Sequence, residues 1–312
     1  VLDGGLATAL PAHHLHPTLW SGGALLTEEG QAAVAAAHAD FVAAGADVIT
    51  TSTYQVTPQG VAGVDGGEDA LAVSVALAVG AATPSSLVAV SIGPYGAYLA
   101  DNSEATGSYA STATVEGLMA FHRPRMVALN AAMSGSGHPQ DGFVFAFETV
   151  PCIVEVVALC RLLAEDFPER AAWLSMTVRD GPADGGDRLR SGERVADAVV
   201  AAEAVAATQL AAVGCNCVSP GVVAGALLAV ASAPLVVGGR YTRRGVAYPN
   251  SGSVYDGATK AWVPRATPYS IPRLLPAWIA AHPGFLAFVG GCCNVGSDVV
   301  AACAAAVRAA PR

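Results

Sequence analysis

Charge is scarce in this chain. Asp, Glu, Lys and Arg make up 13% of its 312 residues, and Phe, Trp and Tyr only 6%. What charge there is leans acidic: 25 Asp and Glu against 16 Lys and Arg give a net charge of -9. No basic patch stands out, so the electrostatic footprint of a nucleic-acid binder is missing. A dinucleotide fingerprint is missing as well. No Gly-x-Gly-x-x-Gly follows the first expected strand, which counts against a Rossmann domain. The seven cysteines are odd in number and lack the spacing of a disulfide framework, so a reducing, cytoplasmic setting is expected. There is no initiator Met at Val1, which leaves room for a targeting segment upstream. Residues 204–239 carry no charged side chain, a length that a membrane span would need. Pro220, Pro234, Gln209 and Asn216 interrupt that stretch, however. Its mixture of β-rich and alanine-rich pieces reads as buried helices and strands of a soluble barrel.

The rest of the chain alternates between two kinds of pattern. Strands are expected at the start of the chain and at 46–53, 86–92, 143–147, 172–178, 210–213, 235–237 and 285–289. Helices are expected at 27–44, 68–82, 112–133, 151–166, 193–208, 220–231, 270–281 and 297–309. Thr27 supplies an N-cap and Gly45 a stop for the first helix, and Pro151 opens the fourth. Eight strands alternating with helices predict a single (β/α)8 TIM barrel over 1–312, with a doubly wound open sheet as the alternative. Segment 97–111 reads as a long polar loop charged only at Asp101 and Glu104, a kind of loop that is often functional.

In such a barrel the chemistry lies at the C-terminal ends of the strands. Cys292 and Cys293 follow the apolar run 285–289 and the pair Gly290-Gly291, where the backbone is expected to turn tightly. Cys217 follows the run 210–213. Three thiolates on neighbouring strand ends suit Zn²⁺, and a fourth, open position makes such a site catalytic. Cys152, Cys160 and Cys303 fall on expected helices and read as small buried hydrophobes; Cys215 is expected to point away from Cys217 and to pack. Asp3, Thr51 and Glu148 also end strands. A carboxylate buried in a barrel is costly without a cation, and a substrate ammonium would provide one for Asp3 and Glu148. The histidines do not cluster near these ends.

Several stretches together resemble the homocysteine S-methyltransferase family, in its branch using S-methylmethionine or S-adenosylmethionine. They are LDGGLAT (2–8), ITTSTYQ (49–55), SIGPYGAYLADNSEATGSY (91–109), FHRPR (121–125), ETVPC (148–152), GCNC (214–217), YPNSG (248–252) and GGCC (290–293). The resemblance implies a zinc-bearing barrel with Cys217, Cys292 and Cys293 as ligands. It implies that Asp3, Gly4, Thr51 and Glu148 meet the amino-acid head group of L-homocysteine, and places Asn216 and Asn250 near the zinc. Two departures stand out. Cys215 replaces an aliphatic residue, and residues 238–247 read as an insertion between strand seven and YPNSG. That insertion is either a solvated loop or a lid whose Arg240, Arg243 and Arg244 meet a donor carboxylate. The expected reaction is methyl transfer from a sulfonium donor to the homocysteine thiolate, giving methionine. The alternatives are betaine or a methylfolate as donor, a selenol acceptor, or a zinc-thiolate storage or redox-sensing protein without enzymatic activity.

Overall fold

The computed structural model describes residues 1–180, 185–235, 242–256, 261–263 and 269–310. Seven parallel strands form one curled sheet: β1 (Val48–Thr50), β2 (Leu87–Ile92), β3 (Phe143–Val150), β4 (Ala172–Met176), β5 (Leu210–Asn216), β6 (Gly245–Tyr248) and β9 (Leu286–Val289), neighbours in that order. A separate antiparallel hairpin, β7 (Val254–Asp256) with β8 (Ala261–Val263), lies between β6 and β9 in the chain. Seven strands stand in the sheet where eight were expected. The expected first strand is reduced to Leu2, which bridges in parallel to Val48 and donates its N–H to Val289 O at 2.7 Å. One residue thus links the two edges of the sheet.

Eight long helices cover the outside: α1 (Glu28–Ala43), α2 (Ala70–Ala81), α3 (Val115–Gly135), α4 (Ile153–Asp166), α5 (Val195–Ala206), α6 (Val223–Ser232), α7 (Ile271–Ala281) and α8 (Ser297–Ala309). Their starts follow local chemistry. Thr27 caps α1 by accepting from Gly30 N, and Thr114 caps α3 by accepting from Gly117 N, each at 3.1 Å. Among the described residues no helix is long and apolar enough to cross a membrane.

Strand alternation sorts the apolar side chains into two cores. Ala89, Val144, Ala146, Trp173, Ala212 and Val246 point inward with Leu2, Val48 and Tyr248. Their neighbours Val88, Val90, Phe145, Leu174 and Val213 point outward and meet the helices. Small residues dominate the inner set, and Trp173 fills the space they leave.

Of the expected strand at 235–237, Leu235 is irregular, and 236 and 237 lie outside the described residues. The place in the sheet between β5 and β9 belongs to β6, which runs straight into Pro249 and Asn250. The expected insertion therefore does not separate strand from motif, because residues 245–247 are the strand itself. Residues 242–244 enter β6 at its N-terminal end, opposite the thiols. There Arg243 is buried and donates to both carboxylate oxygens of Glu203 on α5, at 2.5 and 2.7 Å, and to the carbonyls of Val230, Ala233 and Pro234. It is unavailable to a donor. Arg244 is exposed, with its carbonyl taken by Val213 N, and Arg240 lies outside the described residues. Nor is 97–111 a plain loop: it contains short helices at Tyr95–Leu99 and Ser103–Thr106 and a 3-10 turn at Ser108–Ser111.

Candidate active site

The C-terminal ends of the strands bring Cys217, Cys292 and Cys293 together. Their sulfur atoms all lie within 4.8 Å of one another, with Cys217 Sγ 3.6 Å and Cys292 Sγ 3.9 Å from Cys293 Sγ. Regular alternation along β5 would place Cys215 and Cys217 on the same face. It does not, because Cys217 has a left-handed φ of 51°, uncommon for a residue other than glycine. That turn aims Cys217 at the other thiols and leaves Cys215 outside, among the sheet–helix contacts, where burial pushes its thiol up to about 12. Cys152, Cys160 and Cys303 are buried too, as expected. The pair Gly290-Gly291 serves close packing rather than a left-handed turn. A Cβ at Gly290 would stand 2.5 Å from Leu2 Cβ, and one at Gly291 2.1 Å from Val295 Cγ1. Backbone bonds anchor the loop, as Cys292 N donates to Pro249 O and Ser251 N to Cys293 O.

The donor set fits a soft cation. All three thiols stand well above the ordinary thiol range: contacts within the trio come first and act in both directions, and burial raises every one of them. Three adjacent thiolates would repel one another, and a dication removes that conflict. A tetrahedral zinc with bonds of about 2.3 Å holds its sulfurs about 3.8 Å apart, close to the two distances from Cys293.

Two buried carboxylates stand beside the thiols. Asp3 accepts from Thr50 N at 2.7 Å and from Thr50 Oγ1 at 2.8 Å. Glu148 accepts from the Ser91 hydroxyl and, at 3.0 Å, from Tyr248 Oη, which itself accepts from Trp173 Nε1 at 3.1 Å. Neither carboxylate has a cationic partner among the described residues. Burial pushes Asp3 up to about 6 and Glu148 up to about 7, and Asp3 adds to the rise at Glu148.

The other expected site residues are committed to the frame. Thr51 accepts from Ser91 N at 3.0 Å and bonds Thr53 Oγ1 at 2.7 Å, tying β1 to β2. Asn216 clamps Thr149, accepting from its N–H at 2.7 Å and donating to its hydroxyl at 2.9 Å. Thr149 is itself left-handed, with φ of 61°, so the clamp holds the bend that presents Glu148. Asn250 Oδ1 accepts from Gly252 N at 2.8 Å. Gly4 packs so closely that a Cβ would lie 2.4 Å from Val295 O.

Comparison with known proteins agrees with this geometry. A family model described as homocysteine S-methyltransferase matches residues 1–307. The chain belongs to the homocysteine S-methyltransferase family. It is a methyltransferase, and three of its relatives indicate the range. The homocysteine S-methyltransferase YbgG of Bacillus subtilis is 34% identical, over 99% of this chain and 94% of that protein. A selenocysteine Se-methyltransferase of Brassica oleracea is 33% identical, over 94% of this chain and 84% of that protein. The metallated form of the homocysteine methyltransferase MmuM from Escherichia coli superposes with a TM-score of 0.77 at 33% identity, covering 97% of this chain and 94% of that one.

Sequence reasoning missed a buried network of this methyltransferase that anchors the segment after β2. Glu155, wholly buried on α4, accepts from Tyr95 N at 2.6 Å, from the Tyr109 hydroxyl and from His122 Nε2 at 2.8 Å. Arg125 Nη2 donates to His122 Nδ1 at 2.7 Å and to Gly93 O at 2.6 Å, so His122 carries its proton on Nε2. Burial lowers His122 and brings Arg125 down to about 10. The signal was present in the composition: an acid within the apolar run IVEVVALC, and a His and an Arg three apart in a helix.

Proposed function

We propose that this methyltransferase is a single (β/α)8 barrel over 1–312, with Leu2 in the eighth position. Its proposed reaction moves a methyl group from a sulfonium donor to L-homocysteine and so yields methionine. S-Methylmethionine is the first choice of donor and S-adenosylmethionine the second. The observation that carries the reading is one juxtaposition: three thiols poised for one metal, next to two buried carboxylates that lack a cation.

Cys217, Cys292 and Cys293 would hold zinc, which when bound draws the proton from the acceptor thiol and keeps its sulfur nucleophilic at neutral pH. Glu148 and Asp3 take the homocysteine ammonium, with Gly4 beside them. The Trp173–Tyr248 chain and Ser91 hold the Glu148 carboxylate in place. The homocysteine sulfur then forms a bond to the methyl carbon in line as the carbon–sulfonium bond breaks. The bonding pair leaves with the donor sulfur, which becomes a neutral thioether, so no general acid is needed. The protein's work is orientation and desolvation. With S-methylmethionine both products are methionine. The family likeness to a selenocysteine Se-methyltransferase supports a second acceptor, a selenol.

The test is a panel with reduced, zinc-loaded protein: homocysteine and selenocysteine as acceptors, each with S-methylmethionine, S-adenosylmethionine, betaine and a methylfolate. Methionine from a sulfonium is expected. Turnover only with betaine or methylfolate would reject the donor assignment, and activity that survives Cys293→Ser without metal would reject the thiolate site.

A further inference from the structure

Glu155 grips the segment after β2 at two points, Tyr95 and Tyr109. Between them lies a half-buried acid with one carboxylate oxygen unpaired. Glu104 sits in the short helix Ser103–Thr106, and its Oε2 is buried without a hydrogen-bond partner among the described residues. The turn is packed tightly: a Cβ at Gly96 would stand 2.4 Å from Glu104 N. The same turn reaches the loop after β4, where a Cβ at Gly107 would stand 2.8 Å from Ser191 N. Next to Ser191 is Arg190. Its Nη2 donates to Asp180 at 2.7 Å and its Nε to Thr177 at 3.4 Å, while Nη1 has no partner among the described residues. Arg190 lies within electrostatic reach of Cys217, and Tyr54 within reach of both Glu104 and Cys217. An acid and a guanidinium with spare bonding capacity therefore share the mouth of the barrel with the thiols. Neither hydrogen-bonds Asp3 or Glu148, the groups proposed above for the acceptor's ammonium.

We propose that Glu104 and Arg190 form the methyl-donor subsite, Glu104 receiving the ammonium and Arg190 the carboxylate of an amino-acid sulfonium. This rests on the sulfonium reading given above and deepens it. The charge pattern matches a donor carrying both groups, and it disfavours one that has a carboxylate but no ammonium.

Calorimetric titration of S-methylmethionine into the zinc-loaded protein tests the assignment apart from turnover. Glu104→Gln and Arg190→Gln should each weaken donor binding at least about tenfold and leave homocysteine binding within about twofold, since a lost charged hydrogen bond is of that size. Glu104→Gln should leave binding of dimethylsulfoniopropionate, which has no ammonium, unchanged. Glu104→Asp and Arg190→Lys should restore part of the affinity, with melting temperature and zinc content confirming intact folds. Unchanged donor binding in both Gln variants, equal loss for both substrates, or no sulfonium binding by the parent protein would overturn the subsite. Sound donor binding without turnover would instead reject the reaction and leave the subsite standing.

Discussion

At the scale of single residues, the site is built from groups kept in costly states. Glu148, at about 7, and Asp3, at about 6, stand above the ordinary values of 4.5 and 3.8 because burial disfavours their charge. The folded chain then binds protons that the unfolded chain releases, so ligand-free stability falls as pH rises from about 4 to about 7. A bound ammonium offsets that loss. The rise in melting temperature produced by homocysteine should therefore be larger at about pH 8 than at about pH 5.5, and Glu148→Gln should flatten the difference. The same variant should raise the homocysteine KM about tenfold or more; an unchanged KM would remove Glu148 from ammonium binding. Asn216 contributes differently. Asn216→Ala leaves the Thr149 N–H buried without its acceptor, at a cost of about 1–3 kcal/mol. Its kcat should fall while metal content holds, and loss of the metal instead would place Asn216 with the thiols.

At the scale of elements, β6 shows how a strand can be misplaced along the sequence. The run LVV at 235–237 has the β-branched look of a strand, whereas GVAY at 245–248 is short and starts with glycine. Pairing with β5 on one side and β9 on the other decides for the second. Arg243 secures its entry. Arg243→Ala would remove both Arg243 hydrogen bonds from the buried Glu203 carboxylate and should cost about 3–5 kcal/mol of stability in a denaturant melt. Donor and acceptor KM should not move, since the pair lies at the far end of the barrel. The Cys217 turn is the second case. Alternation alone cannot separate Cys215 from Cys217, and a left-handed residue at the strand end does.

At the scale of the molecule, closure depends on few contacts. Leu2, 1% exposed, donates to Val289 O on one edge and bridges to Val48 on the other, where its neighbours Val1 and Asp3 supply the hydrogen bonds. Leu2→Ala should cost about 2–5 kcal/mol and raise amide exchange along both β1 and β9; protection lost in only one of them would argue against its bridging role. The thiols tie β5 to the segment after β9 across β6. A chelator should therefore lower the melting temperature reversibly and increase exchange around 290–296, in line with a ligand that binds only the folded chain.

Much of this protein was legible from its residues. Helix caps, apolar strand runs and the alternation of the two determined a barrel-like α/β fold, because those signals are local and periodic. The cysteines and strand-end carboxylates marked the site because soft donors and buried acids are chemically distinctive. Tertiary structure alone decided the rest. Which run pairs between β5 and β9 depends on partners distant in the chain. That one residue links the sheet's two edges follows from strands far apart in the chain. That Arg243 braces the sheet's N-terminal end, while the segments of Glu104 and Arg190 meet at its other end, comes from contacts that span up to about eighty residues, which no local pattern encodes.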